Sequence, residues 1–328
     1  MQTLFKNKHL ISLQEWTAEE IQTVIDVSKN LKLKFALNEP HRYLQDRTVF
    51  MIFFEQSTRT RNSIEAGITQ LGGHAHDLTP DKMQLSHGES AKDTAMVLSR
   101  FGHGIAIRNC FYQIGNDYLR DVARYSSIPI INMQDDLYHP LQALADLMTI
   151  QEKFGRTEGL NITISWAYAT SHAKPLSVPI SQIQLFTRFG MNVTVASPPE
   201  FPLPDDKIKV SEQNAQASGG SLRFTDTMDD GFENAHIVIP KNWGGFAYTT
   251  DKDEMVANLE KHKSWICNSK RMNLADKHAI YMHALPADRG KEVTDEVIDG
   301  PQSVIYDEAE NRLHTAKSVM ALTMGGRP

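Results

Sequence analysis

Residues 48–61 read TVFMIFFEQSTRTR, and the change of texture inside this stretch decides the fold. Thr48 to Phe54 is dense in β-branched and aromatic residues and short enough to be a buried strand. After Glu55 and Gln56, Ile64, Ile68 and Leu71 recur at helical spacing, which predicts a helix over about 59–71. Ser57 and Thr58 then stand at a helix N-terminus, where hydroxyls cap backbone N–H groups. Unpaired donors and partial positive charge make such an end suited to a phosphate. With Arg59, Thr60 and Arg61 added, two hydroxyls and two guanidiniums form an anion-seeking cluster where a buried strand ends. A capped helix with solvated arginines accounts for one or two such residues, not for five.

Outward from this stretch the same alternation repeats. A leading amphipathic helix is expected over Leu13 to Lys32, with Thr17 as a plausible N-cap. Strands are expected at 48–54, 74–78, 104–108 and 128–132, with helices at 90–100 and 116–125 between them. A long helix follows from about Pro140 to Phe154, closed by Gly155 and Gly159. A second series opens at Asn161-Ile-Thr-Ile-Ser-Trp166, with a helix at 177–189 and strands at 191–196, 235–240 and 279–283. The Pro-rich piece Ser197 to Pro204 reads as a surface connection. Strands alternating with helices imply parallel sheets covered by helices, an α/β fold of two doubly wound domains. The expected division is 1–150 and 151–309, with a final helix from about Glu310 to Leu322 inside a 310–328 segment that packs back on the first half.

Composition narrows the function. A chain of 328 residues with formal net charge −6 and no basic block offers no surface for nucleic acid. No window nears the roughly 20 apolar residues of a membrane span, and Met1 to Lys6 does not read as a signal peptide. Cys110 and Cys267 are too few for a disulfide framework or a cysteine metal site and read as reduced residues of a cytoplasmic protein.

Several polar clusters fall where strands are expected to end, the ligand edge of an open α/β sheet. Arg108 ends one strand, His139-Pro140-Leu141-Gln142 opens the long helix, His283-Ala284-Leu285-Pro286 ends a strand of the second half, and Glu308-Ala309-Glu310-Asn311-Arg312 opens the last helix. Singly, His139 could be a capping histidine, Arg108 could pair with Asp117, and Arg312 could be solvated. Their shared placement points to a common site.

Together with Gly88-Glu89-Ser90 and Glu310-Asn311-Arg312-Leu313-His314, these motifs resemble the aspartate/ornithine carbamoyltransferase family across nearly the whole chain. The resemblance implies carbamoyl phosphate and a small amine as substrates, a carbamoyl-phosphate domain followed by an amine-substrate domain, and a homotrimer with active sites at subunit interfaces. It implies no cofactor and no metal. By the same resemblance Ser57, Thr58, Arg59 and Thr60 hold the phosphate, and Arg108, His139 and Thr60 bind the carbonyl oxygen. Gln142 and the backbone of Leu285 fix the carbamoyl nitrogen, and Arg312 approaches from the last helix. Met83 to Ser90 resembles the family's mobile loop, in which His87 is a candidate ligand contact across an interface and Gln84 a weaker one.

Three departures concern the amine. Ornithine enzymes carry cysteine after the histidine of the His-Cys-Leu-Pro motif; here Ala284 stands there. Their Asp-x-x-x-Ser-Met-Gly segment corresponds to Pro240-Lys241-Asn242-Trp243-Gly244-Gly245-Phe246. The loop 169–179, with Lys174-Pro175-Leu176-Ser177-Val178-Pro179, resembles the knotted branch that includes N-acetylornithine and N-succinylornithine carbamoyltransferases, where a later segment, here Ile237 to Tyr248, threads the loop into a trefoil knot. His283, Ala284, Asn242 and Trp243 are the amine-side candidates with His87. Trp243 and Phe246 either wall a pocket or plug the core, Lys241 and Asn242 could meet a substrate carboxylate, and Asp288 and Arg289 either sense the amine or are a charged loop. Expected, then, is a carbamoyltransferase acting in either direction on a small metabolite's amino group. Ornithine carbamoyltransferase proper and a non-catalytic homologue that binds an anion or a partner are the alternatives. A nucleotide-binding protein is excluded by the want of a Gly-rich loop after any strand.

Overall fold

A computed structural model describes residues 4–84, 88–326 and 328. The chain forms two compact units, Met1–Met148 with Ala309–Pro328, and Thr149–Glu308.

In the first unit α1 (Ala18–Ala36) precedes β1 (Thr48–Phe53), α2 (Thr58–Gln70), β2 (His74–Leu78), α3 (Ala91–Phe101), β3 (Gly104–Asn109), α4 (Gly115–Tyr125) and β4 (Ile130–Asp135). α5 (Pro140–Phe154) carries the chain into the second unit. The four strands are parallel in the order β2-β1-β3-β4. β1 is buried from Val49 onward because helices cover both faces, which is why it reads as an unbroken apolar run. Phe50, Ile52, Ile105, Ile107 and Ile130 pack with Ala95, Leu119 and Val122 as its core. Since the chain leaves β1 toward β2 and returns on the other side as β3, the switch point lies beyond the C-terminal ends of β1 and β3, where ligands bind in such sheets.

The second unit follows with β5 (Asn161–Ser165), α6 (Ser177–Arg188), β6 (Asn192–Ala196), α7 (Asp205–Ser218), β7 (Ser221–Thr225), α8 (Met228–Phe232), β8 (Ile237–Pro240), α9 (Lys252–Lys261), α10 (Ser269–Met272), β9 (Ile280–Tyr281) and α11 (Asp295–Ile298). Its parallel order is β7-β6-β5-β8-β9, with the switch point beyond β5 and β8. α12 (Ile305–Thr323) returns the chain to the first unit. There α12 lies so close to α2 that a Cβ on Gly67 would sit 3.1 Å from Met320 Cε and 3.2 Å from Lys317 Cγ.

Several expectations are corrected. The leading helix does not begin at Leu13: a single turn over Leu13–Glu15 breaks at Trp16, and α1 starts after Thr17, whose capping box with Glu20 satisfies donors at the new start. The strand expected at 128–132 is β4, displaced toward polar Gln134 and Asp135, because Pro129 lacks the N–H a ladder needs. The last helix begins five residues earlier than expected. α7 and β7 went unforeseen; β7 is a largely exposed edge strand and lacks the apolar run that marks a buried one. Among the described residues no helix is long and apolar enough to cross a membrane.

Candidate active site

The N-terminus of α2 opens at the switch point of the first sheet. Ser57 occupies the N-cap position without a side-chain cap bond, so no hydroxyl cap closes that end, contrary to the capping role expected of it. Thr58 is exposed and Arg59 half-buried, with the Nε of Arg59 buried and lacking a hydrogen-bond partner among the described residues. Thr60 is buried, and its Oγ1 accepts from Arg312 Nη2 at 2.8 Å. Arg61 is not part of the cluster: its guanidinium is paired with Asp77 and stacked 4.0 Å from the Phe53 ring centroid. Residues 58 to 61 turn around one helical circuit, so successive arginines cannot share a face.

Arg108 is the penultimate residue of β3. Its Nη1 donates to Gln134 Oε1, and its Nε lies 3.8 Å from Glu55 Oε2. It makes no pair with Asp117 among the described contacts. Glu55 is anchored in turn, its Oε1 accepting from the Cys110 N–H at 2.8 Å. Burial raises the Glu55 carboxyl above its ordinary range, against the pull of Cys110 and Arg108.

His139 immediately precedes α5, and its carbonyl accepts from the N–H groups of Gln142 and Ala143 at 3.1 and 3.2 Å. The ring is 3% exposed. Burial first, then Arg312, Arg108 and Arg59, press its pKa well below the ordinary histidine value. The imidazole is therefore neutral at pH 7 and able to donate a hydrogen bond without carrying charge. Gln142 accepts from Arg312 Nη1 at 3.1 Å and donates through Nε2 to Asp146 Oδ1 at 2.7 Å, which fixes its amide orientation. Below these groups the turn 135–138 is braced by Asp135, which accepts from Leu137 N at 2.8 Å, Asn116 Nδ2 at 2.7 Å and Asn132 Nδ2 at 2.8 Å. Burial pushes the Asp135 carboxyl up to about 7 despite these bonds.

Thr60, Arg59, Arg108, His139, Gln142 and Arg312 are thus coupled in one unit, from four elements spread across more than 250 positions. Three guanidiniums act on one neutral histidine, with Glu55 the carboxylate beside them. Like charges do not gather in a partly buried place without cost. A dianionic ligand would offset that cost, and hydrogen-bond donors without acid–base function suit a reaction in which an oxygen gains charge.

The second unit carries its own cluster beyond β8 and β9. Lys241 follows β8 directly and, like Glu292, is buried. Glu292 Oε1 accepts from Asn242 N at 2.7 Å and lies 3.4 Å from Lys174 Nζ and 3.5 Å from Lys241 Nζ. Its Oε2 accepts from Asp288 N at 2.7 Å and lies 3.5 Å from His283 Nε2. Burial works to raise the Glu292 carboxyl, but Lys241, His283 and Lys174 hold it well below the usual range. Burial lowers Lys241, opposed by Glu292. His283 Nδ1 accepts from Leu285 N at 2.8 Å; the Leu285–Pro286 peptide is cis. Ala284 is buried. Asn242 donates through Nδ2 to Ala167 O at 2.7 Å, and its Oδ1 is buried without a partner among the described residues. Where the sequence allowed Trp243 a pocket wall or a core plug, the side chain is wholly buried and its indole donates to Phe201 O at 3.0 Å. Asp288 holds Thr170 through two bonds, whereas Arg289 turns to Asp295 and Asp299. His87 lies outside the described residues.

Sequence reasoning missed Glu55, Gln134, Lys174 as a partner of Glu292, and Glu292 itself. Glu55 and Gln134 carried a legible signal, each a polar residue at the C-terminal end of a buried strand. Glu292 carried none, because its burial follows from the fold of the loop around it.

A family model described as the carbamoyl-P binding domain of aspartate/ornithine carbamoyltransferase matches residues 8–152, and one described as the Asp/Orn binding domain matches 160–323. The chain is 39% identical over 321 residues to an ornithine carbamoyltransferase of Thermococcus kodakarensis, covering 97% of each chain. It is 38% identical to an anabolic ornithine carbamoyltransferase of Pyrococcus furiosus, again covering 97% of each. Among solved structures, ornithine carbamoyltransferase from Pyrococcus furiosus superposes with a TM-score of 0.90 at 37% identity over 100% of both chains. An acetylornithine transcarbamylase complexed with acetylcitrulline superposes with a TM-score of 0.89 at 30% identity, covering 98% of this chain and 100% of that one.

Proposed function

The chain is an enzyme of the aspartate/ornithine carbamoyltransferase family, and from that premise we propose that it moves the carbamoyl group of carbamoyl phosphate to an ornithine-like amine through the residues described above. The observation that carries the assignment is Arg312 bonded to both Thr60 and Gln142, beside buried His139 whose pKa is lowered by burial and by Arg312, Arg108 and Arg59. The unclosed N-terminus of α2, with Ser57, Thr58, Arg59 and Thr60, receives the phosphate. Arg108, His139 and Thr60 bind the carbonyl oxygen. Gln142 and the Leu285 carbonyl accept from the carbamoyl nitrogen, and Arg312 holds Thr60 and Gln142 in place.

The amine lone pair attacks the carbonyl carbon, and the oxygen takes up negative charge against Arg108 and His139. The carbon–oxygen bond to phosphate then breaks, phosphate leaves with the bond's electrons, and the former amine gives up a proton to solvent. Because the amine is itself the nucleophile, the protein acts by orienting reactants and by stabilising the oxyanion. The same site serves the reverse reaction.

Ornithine is the first amine to test, since the curated relatives bear its name; N-acylated ornithines are the second. Asn242 Oδ1, buried without a partner, and Lys241 support an amine-side role for this segment, with His283 and Ala284 beside it and His87 contributed by a neighbouring subunit. A cytoplasmic homotrimer with active sites at subunit interfaces is the assembly proposed. A trefoil knot in the second unit is proposed from the resemblance of the loop 169–179; that loop touches the later segment where Gly244 N donates to Lys174 O at 2.8 Å.

The test is carbamoyl-phosphate-dependent phosphate release against ornithine, N-acetylornithine, N-succinylornithine, putrescine, lysine, diaminopropionate, aspartate and oxamate, with Arg59→Ala as control. Release stimulated by one amine and abolished by the substitution is the expected result. Silence across the panel without protection by carbamoyl phosphate against heat would favour a non-catalytic homologue.

A further inference from the structure

We propose that Gln134 is a positioning residue for Arg108, holding its guanidinium in a single orientation toward the carbonyl oxygen by means of a bulge in β4. The pairing of β3 with β4 runs Ile107 against Asn132 and then Arg108 against Gln134, so Met133 is an extra residue in the ladder. Bulges are rare between parallel strands and re-aim side chains where they occur. Without it Arg108 would face apolar Met133. With it, Gln134 stands beside Arg108 and its Oε1 accepts from Nη1.

An amide suits this task better than a carboxylate. A guanidinium bonded to a full negative charge gives part of its field to that partner, whereas a neutral acceptor fixes its orientation and leaves the charge for the oxyanion. The carboxylate that does approach Arg108 stands off at 3.8 Å, and burial favours its neutral form. Gln134 is itself 7% exposed. Its neighbour Asp135 is locked by bonds to Asn116, Asn132 and the turn toward His139, so the bulge is held from below.

The inference rests on the carbamoyltransferase reading, and a double-mutant cycle separates the two. Steady-state kinetics with carbamoyl phosphate and the productive amine are measured for the parent, Gln134→Met, Arg108→Lys and the double variant, with melting temperature alongside. Gln134→Met, which keeps the volume and removes the acceptor, is expected to lower kcat about tenfold with a smaller change in KM for carbamoyl phosphate. In the Arg108→Lys background the same change is expected to alter kcat less than about twofold, since coupled sites do not add. Gln134→Glu, which keeps shape and acceptor and adds charge, is expected to fold and to lose kcat comparably, covering the case in which the Met variant does not fold. An undiminished kcat in either folded variant, or equal losses in both backgrounds, would overturn the role of Gln134 alone. A parent that turns over no amine would overturn it together with the transferase reading.

Discussion

Arg312 Nη2 donates to Thr60 Oγ1 at 2.8 Å, joining a helix at the end of the chain to the turn that follows its first strand. The same guanidinium donates through Nη1 to Gln142. One side chain therefore ties α12, α2 and α5 together inside the first unit. Removing it, by Arg312→Met, is expected to raise KM for carbamoyl phosphate and to make Thr60→Ala cost less when added on top than it costs alone. The expected coupling is about 0.5–3 kcal/mol, measured by steady-state kinetics of the two single variants and the double. Strict additivity would mean that the bond does not organise the site.

Arg108→Ala is expected to lower kcat by about 10²–10³, the usual cost of one oxyanion donor, while the melting temperature stays within a few degrees of the parent. The two losses are separable because Arg108 is half-buried and contributes little to the core. A turnover number equal to the parent's would remove Arg108 from the chemistry.

Acid should weaken the fold through its buried histidines. Burial first, and then neighbouring cations, hold His139 and His314 below the ordinary value, His314 at about 3. In the unfolded chain each titrates near about 6.5. Between the folded and unfolded values the unfolded state binds more protons, so stability is present above about pH 6.5 and is lost as pH falls below it. The melting temperature should therefore decline from pH 7 to pH 5. His314→Gln should flatten that decline because it removes a buried group that must take up a proton on unfolding; the nearest recorded carboxylate, Glu310, lies 3.5 Å from its Nε2. An unchanged slope would show that His314 carries none of the effect.

Gly102 is a packing constraint rather than a turn. A Cβ there would come within 2.4 Å of Phe50 Cε2, so Gly102→Ala must displace a core ring. A loss of about 1–3 kcal/mol is expected from such overpacking, read as a lower urea midpoint. No shift in midpoint would show that the Phe50 ring has room to move.

Assembly can be tested on the same unit. Met96, Val97, Phe101, Phe111 and Ile114 are exposed, Phe101 at 71%, and the proposed trimer would be expected to cover apolar side chains of this kind. Sedimentation is expected to give three times the mass of the single chain, and Phe101→Asp to shift it toward the monomer. A parent sedimenting as a monomer would exclude the trimer.

Two parallel α/β layers were legible from the chain alone because buried parallel strands are continuous apolar runs, and TVFMIFF and NITIS read as such without context. The long helix over 140–154 was equally plain, its limits set by Pro140 and Gly155. The edge strand β7 was not, since an exposed strand has no apolar signature. The polar residues at strand ends could be picked out as candidates because a parallel sheet places strand C-termini on one edge. Their grouping was expected from shared placement and from the family resemblance, but no local pattern encodes which of two arginines two positions apart turns inward. Helical rotation and the partner Asp77 took Arg61 away, and Arg59 remained with the site. Likewise a bulge in a ladder, which sets Gln134 beside Arg108, has no period to betray it. The sequence by itself determined the buried strands and the long helices, the polar residues at strand ends, and the residue types available for phosphate and oxyanion. The tertiary structure alone decided which of those side chains meet, because meeting depends on packing between segments as far apart as Thr60 and Arg312, and burial then sets the charge each one carries.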